Sequence, residues 1–157
     1  MMVVVRSIDY RELLKTLRDR KVAIWSCGTC ARICGISGEG PVSSLAERLK
    51  ADGVEVVASS SVGASCLADR IKAKVDLETL RKADLVLTLT CDAGSDTLSE
   101  VLGPVEVFNP IITLGQGRRS ADGSIRIHRP FCAGIEPGDS LEDACNSLQV
   151  NKGPFVL

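Results

Sequence analysis

Aromatic residues, histidine and net charge are all scarce in this chain of 157 residues, and each shortage excludes a class of function. Aromatic side chains make up 3% of the sequence, which leaves few rings on which single-stranded nucleic acid could stack. The 19 basic and 20 acidic residues nearly cancel, so bulk charge does not indicate binding to nucleic acid or to anionic lipid. Because His128 is the single histidine, a Ser-His-Asp catalytic arrangement has little support.

Long hydrophobic runs are also missing. No segment approaches the ~20 apolar residues that a membrane helix needs, and the apolar stretch at the start is too short for a secretory signal peptide. We therefore expect a cytoplasmic protein with no membrane partner. In that compartment seven cysteines indicate a metal, a cluster or catalysis rather than disulfides, and their odd number prevents complete pairing within the chain.

Strand-like and helix-like patterns alternate along the chain, which is typical of a parallel α/β sheet. The predicted elements are a helix over 9–20 capped by Asp9, a strand over 21–26, a helix from Pro41 to about Asp52 stopped by Gly53, a strand over 54–58, a helix from Leu67 to about Lys82 with a break near Asp76, a strand over 83–90, a helix over 94–102, and strands over 105–108 and 124–128. We expect one Rossmann-like or flavodoxin-like three-layer domain over residues 1–157, with a mainly parallel sheet of about four or five strands. Its tail is predicted to be less regular from about residue 132.

Cysteines follow three successive predicted strands. Cys27, Cys66 and Cys91 lie at or just beyond the carboxyl ends of these strands, and Cys30 and Cys34 follow in the loop after Cys27. In open α/β sheets, binding sites form in the crevice outside the carboxyl ends of the strands. The sequence therefore predicts five thiols at one edge of the sheet.

The spacing Cys-x2-Cys-x3-Cys of residues 27–34 leaves open what these thiols bind. Three clustered cysteines with a remote fourth favour a [4Fe–4S] cluster, but four thiolates would also hold a structural zinc ion. For the cluster we favour four ligands, with Cys27 as the main competitor: Cys30, Cys34, Cys66 and Cys91. A thioredoxin-type Cys-x-x-Cys is a weaker interpretation, because the next helix is predicted to begin only at Pro41.

The other two cysteines have separate predictions. Cys145 lies in a helix-like segment and is predicted to be a small buried core residue, as free cysteine often is. Cys132 follows Pro130 and Phe131 in a predicted loop, and for it we leave the core and ligand roles open.

The loop over residues 35–40 is rich in glycine and lies between a strand and a helix, where a nucleotide phosphate can bind. Its glycines have neither the Gly-x-Gly-x-x-Gly order nor a following Gly-Lys-Ser/Thr. We favour the interpretation that Gly28, Gly35 and Gly38 are cofactor-binding positions, where the backbone approaches a cluster closely and its N–H groups bond to sulfur.

Three stretches carry a resemblance: Trp-Ser-Cys-Gly-Thr-Cys-Ala-Arg-Ile-Cys-Gly over 25–35, Ala-Ser-Cys-Leu-Ala over 64–68, and Leu-Thr-Cys-Asp-Ala-Gly over 89–94. Together they resemble the cysteine-rich C-terminal domain family of methylenetetrahydrofolate reductases, which in acetogens and related anaerobes is a separate MetV-type subunit beside the flavin-bearing catalytic subunit. The resemblance covers roughly residues 20–115. It implies iron–sulfur binding, with five residues at matching motif positions: Cys27, Cys30, Cys34, Cys66 and Cys91. The tail lacks the second cysteine-rich segment of longer family members.

These observations predict a one-electron relay in a larger oxidoreductase, not an enzyme by itself. The resemblance implies that its partner is a flavin-containing subunit of the methylenetetrahydrofolate reductase type, in one-carbon metabolism, or another redox complex. Two alternatives remain open. One is a zinc-stabilised adaptor subunit without a redox role, and the other is a transferase subunit that binds a nucleotide or corrinoid cofactor.

Overall fold

The computed structural model of the chain describes residues 1–74 and 77–155. The strands in these residues are β1 (Met2–Arg6), β2 (Lys21–Cys27), β3 (Glu55–Val62), β4 (Leu85–Leu89), β5 (Glu106–Phe108), β6 (Ile111–Arg119) and β7 (Ile125–Pro130). The helices are α1 (Tyr10–Leu17), α2 (Cys30–Ile33), α3 (Glu39–Ala51), α4 (Ala68–Lys74), α5 (Leu77–Arg81), α6 (Asp92–Leu102) and α7 (Leu141–Leu148). The chain therefore has a mixed α/β fold with two sheets.

The larger sheet has four parallel strands in the order β3-β2-β4-β5, as the alternation of elements predicts. Its central strands β2 and β4 carry apolar side chains on both faces because both faces are covered. Along β2, Val22 and Ile24 pack into one core with α1, α3, α7 and the second sheet. Ala23 and Trp25 point to the other face and pack with residues of α4, α5 and α6.

The smaller sheet is antiparallel, with the order β1-β6-β7, and the sequence patterns did not indicate it. In β1, Val3 and Val5 are fully buried, and so is Val4 between them, so the strand lacks the alternation that marks a half-exposed strand. The predicted strand over 124–128 exists as β7, but it pairs with β6 rather than with the parallel sheet. The mainly parallel sheet therefore has four strands, and the other three form a sheet of their own.

Helix ends follow the expected capping chemistry in two places. Asp9 caps α1, since its carboxylate accepts a hydrogen bond from the backbone N–H of Glu12 at 2.9 Å. Helix α3 ends at Ala51, and Gly53 follows with a φ of 89°, a left-handed conformation that suits glycine. The predicted break near Asp76 lies outside the described residues.

One prediction about helices is wrong: helical structure after Cys27 begins before Pro41, because α2 begins at Cys30 and α3 at Glu39. The helix-like segment around Cys145 forms the helix α7, whose cap Ser140 accepts from the backbone N–H of Asp143 at 3.1 Å. None of the helices in the described part of the chain has the length and apolar character needed to cross a bilayer.

Candidate functional site

The loops after β2, β3 and β4 meet at the carboxyl edge of the parallel sheet. Strand β2 lies between β3 and β4, so the strand order reverses at β2, and a crevice opens where the loops after β2 and β4 diverge. Cys27 is the last residue of β2, Cys91 immediately precedes α6, and Cys66 lies in the loop after β3. The fold thus brings cysteines from three separate segments to one edge.

The thiol of Cys91 is influenced by three other thiols at this edge. Burial raises the pKa of Cys91 above its ordinary value, and the backbone N–H of Gly94 opposes that shift. Negative charge on Cys30, Cys27 and Cys66 raises this pKa further. Since such effects require nearby charges, these four thiols share one neighbourhood.

A buried tryptophan holds the loop of Cys66 against the start of α6. The indole nitrogen of Trp25 donates to the hydroxyl of Ser65 at 2.8 Å, and that hydroxyl donates to the carbonyl of Gly94 at 3.3 Å. All three residues are buried. Because these bonds join β2, the loop after β3 and α6, they fix the spacing of the segments that carry the thiols.

Two cysteines of the first loop contact the antiparallel sheet. The backbone N–H of Met2 donates to the sulfur of Cys30, and that of Val4 donates to the sulfur of Cys34, both at 3.4 Å. Burial raises the pKa of Cys34 to about 11, against the opposing effect of the Val4 N–H, while Cys30 and Cys145 add to the rise. Cys34 therefore lies toward β1, and its thiol loses its proton less readily than an ordinary cysteine thiol.

This burial predicts a slow reaction of Cys34 with iodoacetamide. At pH 8 a thiol with a pKa of about 11 is ionised to roughly one part in a thousand, and only the thiolate attacks the reagent. Cys66 is exposed, so we expect it to be modified well before Cys34 in the native protein. Mass spectrometry of timed digests measures both rates. Modification of Cys34 as fast as that of Cys66 would show that the Cys34 thiol is not buried as described. In denaturant, where both thiols are exposed, we expect the two rates to become equal.

Cys132 lies close to the same edge, which the sequence left undecided. Its thiol is 3.8 Å from the carbonyl oxygen of Thr113, and the Thr113 hydroxyl accepts from the backbone N–H of Asp92, the residue after Cys91. The strand pair β6–β7 makes this approach, and no local sequence signal predicts it. Cys145 is buried in α7, as predicted for a core residue.

The three glycines expected to bind a cofactor differ in backbone conformation and hydrogen bonding. Gly28 follows Cys27, and its N–H donates to the carbonyl of Val62 at 2.8 Å. Gly35 and Gly38 have φ angles of 75° and 126°, conformations that side-chain-bearing residues rarely adopt. They shape the turns between α2 and α3, which supports a tight loop but does not by itself identify a ligand.

Comparisons with protein families, with curated proteins and with solved structures gave no match. Within residues 1–74 and 77–155, no three histidine, cysteine, aspartate or glutamate side chains form a group that could hold a metal ion. All seven cysteines are free thiols. The candidate site therefore consists of cysteines that the fold brings to one sheet edge and of backbone N–H groups directed at two of their sulfurs, without an arrangement of three such side chains around one point in the described residues.

Proposed function

We propose that this chain binds a [4Fe–4S] cluster at the carboxyl edge of its parallel sheet and relays electrons to a redox partner. The observation that carries the proposal is that Cys27 and Cys30, Cys66, and Cys91 follow three parallel strands and meet at one edge of the sheet. The charges of the first three raise the pKa of Cys91, in agreement with this placement. The strand order β3-β2-β4-β5 is that of flavodoxin-like sheets, and we propose that the parallel part of the fold is of this type.

In this proposal the four ligands are Cys27, Cys30, Cys66 and Cys91. Cys30 and Cys34 each accept a backbone N–H of β1, but Cys34 is left out because it is also buried and is not among the thiols whose charge raises the pKa of Cys91. This assignment replaces Cys34 of the sequence-based set with Cys27. To hold a cluster, the four side chains would have to turn toward a common centre, because in the described residues no three of them are grouped around one point.

Backbone amides would set the properties of the bound group. When bound, a [4Fe–4S] cluster supplies one-electron redox chemistry. The Met2 N–H already donates to the sulfur of Cys30, and the Gly94 N–H lowers the pKa of Cys91. Both amides stabilise negative charge on sulfur, and such contacts raise the reduction potential of a cluster.

Exposed apolar side chains neighbour the cysteines in sequence, which supports a partner that covers this edge. Among the described residues, the exposed large apolar side chains include Ile33 before Cys34, Leu67 after Cys66 and Phe131 before Cys132. We propose a flavin-containing subunit of the methylenetetrahydrofolate reductase type, or another redox complex, as the partner. Seven free thiols fit the reducing cytoplasm, where we place the protein.

Anaerobic reconstitution with ferrous iron and sulfide tests the proposal. We expect a brown protein with about four iron atoms per chain and broad visible absorbance that bleaches on reduction with dithionite. A colourless protein that binds about one zinc ion and no cluster would instead indicate the zinc-stabilised adaptor. Binding of neither metal would contradict a metal role for the thiols.

A further inference from the structure

A cavity of about 380 Å³ opens beside the thiol edge, between the ends of β2 and β3 and the first turns of α3. Its size falls within the range of small-molecule sites, about 300–1,000 Å³. Gly28 contributes to its wall, whereas no cysteine is among its described lining residues. The cavity is therefore a neighbour of the thiol site and not part of it.

Serine hydroxyls cover one wall of this cavity. The parallel register pairs Ser61 with Ser26 and Ser59 with Ile24, so the side chains of Ser61 and Ser59 lie on the face of the sheet that α3 covers. Ser26 is completely buried, and its hydroxyl donates to the carbonyl of Ser60 over a long 3.4 Å. The hydroxyls that a ligand can reach are therefore those of the exposed Ser59 and Ser61.

The opposite wall carries one charged side chain of each sign, Arg32 and Glu39. Arg32 lines the cavity, and within the described residues it forms no ion pair, unlike the arginines at positions 20, 48 and 81. Gly38 precedes α3 without a side-chain cap, so the first amides of this 13-residue helix have no side-chain acceptor. A guanidinium beside a helix N-terminus suits a phosphate group, which accepts several charge-assisted hydrogen bonds.

Glu39 also lines the cavity and restricts the class of ligand. Its carboxylate disfavours a bare anion, but it can accept hydrogen bonds from hydroxyl groups. We propose that this cavity binds a phosphate monoester of a hydroxyl-bearing small molecule, of the sugar-phosphate class. The phosphate lies against Arg32 and the start of α3, and the hydroxyls meet Glu39 and the serines of β3.

Titration of the full chain with ribose 5-phosphate, inorganic phosphate and ribose, followed by ¹H–¹⁵N NMR, tests this site. We expect saturable shifts at residues 38–43 and 59–61, with ribose 5-phosphate binding more tightly than inorganic phosphate and ribose alone not binding. Arg32→Gln is expected to weaken ribose 5-phosphate binding by about tenfold or more. Arg48→Gln, which changes an exposed arginine in the last turn of α3, is expected to leave binding unchanged.

Three results would overturn the proposal. They are the absence of saturable shifts at millimolar ribose 5-phosphate, equal affinity for phosphate and ribose 5-phosphate, and unchanged affinity in Arg32→Gln. Ser61→Val gives a second, independent variant, for which we expect weaker binding because it removes a hydroxyl from the wall. The titration is made on the metal-free protein, because Gly28 and Arg32 lie in the segment that carries Cys27 and Cys30.

Discussion

Cys91→Ser is expected to remove most of the iron from the anaerobically reconstituted protein. Serine oxygen is a hard donor and binds iron in a sulfide cluster less well than thiolate does. The substitution should leave the fold intact, because Cys91 occupies the N-cap position of α6 and serine is among the best residues there. We expect unchanged or slightly higher thermal stability of the metal-free protein together with the loss of iron. Iron analysis and visible absorbance measure the loss.

Substitutions of other cysteines test whether the loss of iron is specific to Cys91. Cys145→Ala changes an equally buried cysteine, 6% exposed like Cys91, and is expected to keep its iron. Cys34→Ala tests the choice among the five candidate ligands, and we expect it to keep most of its iron because Cys34 is buried and is not among the thiols whose charge acts on Cys91. Unchanged iron in Cys91→Ser would show that the edge assignment is wrong. Loss of iron in Cys34→Ala with retention in Cys27→Ala would restore the sequence-based ligand set.

Gly117→Ala is expected to lower the free energy of unfolding by about 2–3 kcal/mol, because an added methyl group overpacks the antiparallel sheet. A Cβ at this position would overlap the carbonyl oxygen of Arg126 and lie 2.7 Å from Cγ2 of Val3. Because one of the two overlapping groups is a backbone carbonyl, a change of side-chain rotamer cannot relieve the overlap. For a chain of this length the loss corresponds to roughly 4–12 °C in Tm. Thermal unfolding of the metal-free protein followed by circular dichroism measures it.

Gly40→Ala is the matched control for this effect. Gly40 lies in the first turn of α3, its φ is not positive, and a Cβ there would meet nothing within 4 Å. We expect Gly40→Ala to leave stability unchanged or raise it by up to about 1 kcal/mol, because alanine favours the helix. A Tm for Gly117→Ala equal to that of the unsubstituted protein would mean that β6 and β7 are not so closely apposed.

Local patterns predicted the parallel strands, although β3 continues to Val62, four residues beyond its predicted end. The strands that precede Cys27 and Cys91 are apolar on both faces, as strands buried between two helix layers must be. Capping residues such as Asp9 act within a few positions of the chain, so their signal is visible without tertiary information. The edge that collects Cys27, Cys66 and Cys91 follows from the parallel register alone.

The same local patterns did not predict the antiparallel sheet. Met2 pairs with Gln116, a contact that spans most of the chain, and no nearby turn signals such a pairing. The short strand β1 is uniformly buried, so it resembles any apolar stretch. This sheet covers α2 and brings Cys132 to the edge, and neither result could be read from the spacing of cysteines.

The amino-acid sequence by itself determined which side chains carry reactive sulfur and that they follow the ends of parallel strands. Tertiary structure alone decided which of these thiols are neighbours. Cys34 lies near Cys30, but its sulfur is buried against the backbone of Val4, whereas Cys66, which is distant from Cys91 in sequence, raises the pKa of Cys91. The physical reason is that a thiol's neighbours depend on how the two sheets pack, and that packing is set by pairings between segments far apart in the chain.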